Sequence, residues 1–89
     1  MRVILAASFL KSYKKRIQWN TKLDRQMARR VDLFKTNQTN PIIHDHVLKG
    51  NKLGLRAFSV TGDVRIVYHF LSNDEAEFLD IGSHAQVYS

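Results

Sequence analysis

Four histidines are the side chains best suited to moving a proton near neutral pH: His44, His46, His69 and His84. An imidazole ionises near pH ~6.5, so it can act as acid or base without special tuning. The chain has no cysteine, which removes disulfides and cysteine-based zinc sites. His44-Asp45-His46 alternates, so both imidazoles fall on one side of an extended segment. That pair is short of a metal site because no third ligand is evident, and no metal is expected. His84 follows Gly82-Ser83 and precedes Val87-Tyr88. It reads either as a turn histidine beside a packing aromatic or as part of a site. Arg65 and Arg56 are the cations of the C-terminal strands. A guanidinium there is either a solvated group, a partner of Asp63 or Asp80, or an anion ligand.

The elements that must hold these groups follow from periodicity. Residues 2–6 form a short apolar run with β-branched members, a first strand. Ser8 offers an N-cap, and Phe9, Leu10, Tyr13 and Ile17 follow at helical spacing, predicting a helix over 8–18. Thr21 with Asp24 resembles a capping box. Leu23, Met27, Val31 and Phe34 then predict a second helix over 22–35, joined to the first as a hairpin. Residues 36–45 read as an irregular loop and residues 48–51 as a turn. Residues 53–61 alternate as a strand, Thr61-Gly62-Asp63 is a hairpin turn, and 64–71 is the strongest β segment. Residues 76–81 return as a last strand. The order β-α-α-β-β-β predicts one α+β domain over 1–89, its helical hairpin on one face of a small, mostly antiparallel sheet. On the central strand Val64, Ile66, Tyr68 and Phe70 should meet the helices. Arg65, Val67 and His69 should lie on the uncovered face, which Arg56 would share.

Charge separates the two halves. Lys plus Arg number 14 against 8 acids, a net +6 in 89 residues. Residues 1–38 hold ten bases and two acids, whereas 39–89 hold four and six. A basic surface of this kind suits a polyanion or an acidic protein. Hydrophobic residues at 44% exclude a disordered chain. No apolar run approaches the roughly 18 residues of a membrane span. The apolar start is too short and too quickly followed by lysines for a signal peptide. A soluble, cytoplasmic protein is expected, with no membrane association.

Four segments taken in order resemble a known family. They are Asp45-His46-Val47-Leu48-Lys49-Gly50, Leu53-Gly54-Leu55-Arg56, Gly62-Asp63-Val64-Arg65-Ile66-Val67-Tyr68, and Asp80-Ile81-Gly82-Ser83-His84-Ala85-Gln86-Val87-Tyr88. Together they are similar to the RelE/ParE toxin superfamily, within the branch of messenger-RNA interferases that includes the YafQ type. The resemblance implies the RelE-like microbial ribonuclease fold. It also implies the toxin of a type II toxin–antitoxin system, with an antitoxin protein, the ribosomal A site and messenger RNA as partners. The implied reaction needs no metal or small-molecule cofactor: the substrate's 2′-hydroxyl attacks the adjacent phosphorus, leaving a 2′,3′-cyclic phosphate.

Such chemistry requires a base, an acid and a cation at the phosphate. The resemblance assigns His46 as base, His84 as acid, Arg65 as phosphate clamp and Tyr88 as a stacking or orienting aromatic. Asp63 matches an acid at the hairpin turn. Arg56 and Lys52 would add phosphate affinity, and Lys14, Lys15, Arg29 and Arg30 would dock RNA on the helices. Two departures stand out. Ser59 occupies a position where the YafQ type carries a further histidine, and Arg65 is absent from that branch. The roles of His46 and His84 are therefore open to exchange. A gyrase-directed toxin of the ParE type and a non-catalytic RNA-binding member share the fold. His84 and the Asp-His-x-Leu motif argue against the gyrase reading.

Overall fold

The computed structural model describes residues 1–88, with all side chains except that of residue 51. Its strands are β1 (Arg2–Leu5), β2 (His46–Val47), β3 (Arg56–Ser59), β4 (Val64–Ser72) and β5 (Glu75–Ser83). Its helices are α1 (Ala7–Arg16), α2 (Thr21–Thr36) and α3 (His84–Tyr88), with 3₁₀ turns at Pro41–Ile43 and Gly50–Lys52. The five strands form one sheet in the order β1-β5-β4-β3-β2. Only β1 runs parallel to its neighbour; the other pairings are antiparallel. Three helices on a mostly antiparallel sheet make this an α+β fold, as expected. No described helix is long and apolar enough to cross a membrane.

The core lies between α1, α2 and the sheet. Phe9, Ile17, Phe34, Phe58, Ile66, Tyr68, Phe78 and Ile81 are buried in one cluster. Phe34 from α2 stacks on Phe58 of β3 at 4.6 Å and meets Tyr68 of β4 edge-on at 4.8 Å. Strict alternation would send Phe78 and Ile81 of β5 to opposite faces. The register solves this: Val67 faces Asp80 and Tyr68 faces Phe78, so Leu79 is an extra residue and both aromatic and aliphatic groups turn inward. Ser8, expected as a helix cap, instead donates to the carbonyl of Leu79 at 2.6 Å. It already lies inside the first turn, and Ala6 occupies the cap without a side-chain bond. The cap of α2 is likewise Asn20, whose side chain accepts from Leu23 N at 3.1 Å, rather than Thr21.

The opposite face of the sheet is not bare. Val67 and Ala57, cross-strand neighbours, are buried beneath Val87 of α3 and Leu48 in a second small cluster. Two apolar side chains adjacent on one face need such cover, and the C-terminal residues supply it by folding into a helix. Strand parity also corrects the placement of Arg56. It pairs with Tyr68, whereas Arg65 pairs with Ser59, so the two arginines lie on opposite faces. His69 pairs with Glu77 at 2.7 Å, and Phe70 is 39% exposed at the end of β4.

Candidate active site

His46 occupies the two-residue strand β2, paired across from Ala57, which places it on the face that carries Ser59, Val67 and Arg65. Its Nδ1 lies 2.7 Å from the carbonyl of His44. A carbonyl only accepts, so Nδ1 carries the proton and the neutral ring offers its lone pair at Nε2. His44 itself has φ 47° and ψ 45°, a left-handed conformation uncommon for a residue with a side chain. That conformation costs on the order of 1 kcal/mol and is held from outside.

The hold comes from Asp45, which stands between the two histidines. Its Oδ1 accepts from the Tyr68 hydroxyl at 2.6 Å, and its Oδ2 accepts from Gln38 at 2.7 Å and Arg56 at 3.1 Å. Arg56 Nε also donates to the Tyr68 oxygen at 3.1 Å. The Asp45 side chain is 7% exposed. Burial opposes the charge of Arg56, but its bonds to Asp45 and Tyr68 outweigh that and raise its pKa. Arg56, expected to contact RNA, is thus committed to fastening the His44–His46 segment onto β4. Asp45 opens the Asp-His-x-Leu motif, which by itself gives it no role. The alternating spacing that suggested paired metal ligands puts Asp45 on the inner side, and that was the available signal. Among the described residues no group of three or more His, Cys, Asp or Glu side chains converges as a metal site.

His84 and Tyr88 arrive on α3, one turn apart, with rings in edge-on contact at 4.4 Å. Ser83 Oγ accepts from Gln86 N at 3.2 Å, and Gln86 Oε1 accepts from Ser83 N at 2.7 Å, a reciprocal capping box. Gly82 makes room for it. A Cβ there would sit 2.7 Å from both Gln86 Oε1 and Arg16 Nη1. Asp63, in the β3–β4 turn, accepts from His84 N through its carbonyl at 3.0 Å and its Oδ1 at 3.3 Å. It therefore ties the start of α3 to the hairpin.

His46, Leu48, Lys49, Lys52, His84 and Tyr88 line one cleft. His46 also lines an adjoining concavity with Arg30, His44, Ser59, Gly62 and Arg65. Arg65 Nη1 donates to the carbonyls of Thr61 at 3.1 Å and Gly62 at 3.0 Å. Burial pushes the Tyr88 phenol up, and the neighbouring Arg65 charge pulls it the other way. No regular hydrogen bond joins them; the Tyr88 hydroxyl is the buried side-chain polar atom without a partner among the described residues. The fold thus brings His46, His84, Tyr88, Lys52 and Arg65 around one locus and adds Lys49, which sequence reasoning missed. Lys14, Lys15 and Arg29 remain exposed on the helices. Another concavity, at the foot of α2, is lined by Asn20, Lys22, Leu23, Gln26 and Thr61. It has no imidazole or carboxylate and so lacks acid–base groups.

Comparison with known proteins bears on this site. The profile of a family described as a bacterial toxin of type II toxin–antitoxin system, YafQ, matches residues 1–89. A copper-bound mutant toxin from Helicobacter pylori is 27% identical, with a TM-score of 0.78 and 98% of each chain covered. YafQ from E. coli is 22% identical over 100% of both chains, with a TM-score of 0.82. The toxin in the E. coli DinJ–YafQ complex is 23% identical, with a TM-score of 0.80 and 100% of each chain covered. A search of the curated proteins found no match.

Proposed function

The chain belongs to the YafQ family of bacterial toxins of type II toxin–antitoxin systems, and from that premise we propose that it is a ribosome-dependent endoribonuclease acting on messenger RNA. The observation that carries the reading is the single cleft shared by His46 and His84. Two imidazoles line one hollow, with Lys49, Lys52 and Arg65 close by to offset anionic charge.

In this mechanism His46 Nε2 takes the proton of the substrate 2′-hydroxyl, its lone pair exposed because Nδ1 is tied to His44. The 2′-oxygen attacks the adjacent phosphorus. The bond to the 5′-oxygen breaks, and His84 donates the proton that this oxygen acquires. The products are a 2′,3′-cyclic phosphate and a 5′-hydroxyl. Arg65 faces the charge that builds on the phosphoryl oxygens, and a guanidinium can donate two parallel hydrogen bonds to them. Tyr88 orients the phosphate or stacks on a splayed base. Asp63 acts through the backbone of His84. The nucleophile belongs to the substrate, so the mechanism uses no cofactor. The ribosomal A site supplies the messenger, and a cognate antitoxin restrains the toxin; a relative is found in the E. coli DinJ–YafQ toxin–antitoxin complex.

Primer-extension mapping of messengers after induction tests this. Codon-phased cuts are expected, and His46→Ala or His84→Ala should reduce single-turnover cleavage about 10²- to 10⁴-fold with the fold intact. Loss of DNA supercoiling without RNA cuts would instead indicate a gyrase-directed toxin.

A further inference from the structure

Arg30 was expected on a remote docking surface, yet its guanidinium reaches the concavity beside His46. Its Nη1 donates to the carbonyls of Ile42 at 3.0 Å and Ser59 at 3.3 Å. Arg65 enters the same hollow from β4 and is held by the carbonyls of Thr61 and Gly62. Neither arginine has a carboxylate partner among the described residues, although Arg16 and Arg56 each do. Two like charges in one hollow repel each other, and that repulsion is relieved by an anion between them. Both guanidinium groups are fixed by main-chain bonds at Nη1 alone, so an incoming phosphate meets oriented donors at little entropic cost.

We propose that Arg30 and Arg65 form a second phosphate subsite, which holds a phosphodiester next to the one that is cut. The RNA strand then runs over His46, with the scissile phosphate between His46 and His84 and a neighbouring phosphate at Arg30. Arg65 lies beside Tyr88 as well as in the Arg30 hollow, and so stands between the two phosphates. Arg30 is a substrate ligand in this scheme, and its loss weakens substrate binding more than the chemical step. The assignment rests on reading the His46–His84 cleft as the place of cleavage.

The test is a binding measurement that needs no turnover. The intact chain is titrated with adenosine 3′,5′-bisphosphate and with adenosine 3′-monophosphate, by calorimetry at low salt. The bisphosphate is expected to bind about tenfold more tightly. In Arg30→Gln that advantage should vanish while monophosphate affinity holds. A bisphosphate preference that survives in a folded Arg30→Gln chain, or its absence from the wild type, overturns the subsite. If Arg30→Gln does not fold, the wild-type side-chain Nε–H resonances decide. Those of both Arg30 and Arg65 must shift with the bisphosphate, and a shift confined to Arg65 refutes the proposal. Cleavage without bisphosphate preference refutes the subsite alone. Bisphosphate preference in a chain that never cuts RNA refutes the nuclease reading, and with it the cleavage-adjacent role.

Discussion

Tyr68 carries its hydroxyl to the edge of the core, where it donates to Asp45 and accepts from Arg56 and Gln38. Burial and then the Asp45 contact raise its pKa above the ordinary 10.0, against the pull of Arg56. The sign follows from proton counting. Above pH 10 the unfolded tyrosine releases its proton while the folded one keeps it, so the unfolded state binds fewer protons and stability falls as pH rises. Tyr68→Phe should flatten this alkaline loss in denaturation curves between about pH 8 and pH 11; an unchanged slope would show that other groups dominate. At neutral pH the same variant should lose about 1–3 kcal/mol, because three partners lose a bond. Asp45→Asn removes the charge opposite Arg56, which is 29% exposed. About 1–3 kcal/mol is expected after allowing for that exposure. Its more telling effect is on His46: the single-turnover rate should drop while RNA affinity stays near wild type. Equal losses in both would make Asp45 a merely structural residue. None of this network was legible as chemistry. Asp45, Arg56 and Tyr68 are far apart in the chain, and strand register alone brings them together.

At the scale of elements, the decisive piece is α3. Five residues are too few to hold a helix unaided, so its stability is borrowed. The capping box supplies the start, Asp63 fastens His84, and Val87 sits in the second cluster. Ser83→Ala should cost about 1 kcal/mol in global stability. The loss of cleavage should be far larger, because His84 and Tyr88 lose their common frame, and amide exchange over residues 84–88 should quicken. Gly82→Ala should act in the same direction by displacing Gln86. If it left exchange over α3 unchanged, close packing of Gln86 on Gly82 would not be what holds the helix. The Ser-x-x-Gln pattern was present in the sequence, yet a strand ending in Gly82-Ser83 read more naturally as a turn. The helix exists because Val67 and Ala57 need cover, a demand that no local window reveals.

Over the whole molecule, the positive charge divides differently from the simple halves of the chain. Arg16 is spent on Asp80 and the Ile81 carbonyl, and Arg30 turns into the concavity that adjoins the cleft. The exposed set that remains for docking includes Lys14, Lys15 and Arg29. Replacing these three with Gln should leave stability within about 0.5 kcal/mol of wild type. Ribosome binding should weaken, with a shallower dependence on salt; an unaltered affinity and slope would remove the helices from the docking surface. Composition, periodicity and motif order were enough to specify an α+β fold, its two long helices, the β3–β5 meander and the family. Those features are written in local pattern: apolar stripes at helical spacing, β-branched runs and turn residues. The family resemblance also nominated His46, Arg65, His84 and Tyr88, which line two adjoining hollows or lie beside them. Strand parity put Arg65 on the correct face but misplaced Arg56, and nothing local showed that β1 lies parallel to β5, that Leu79 bulges, or that Arg30 and His46 share a hollow. Each of those depends on register between segments distant in the chain, where a single-residue shift exchanges the two faces of a strand.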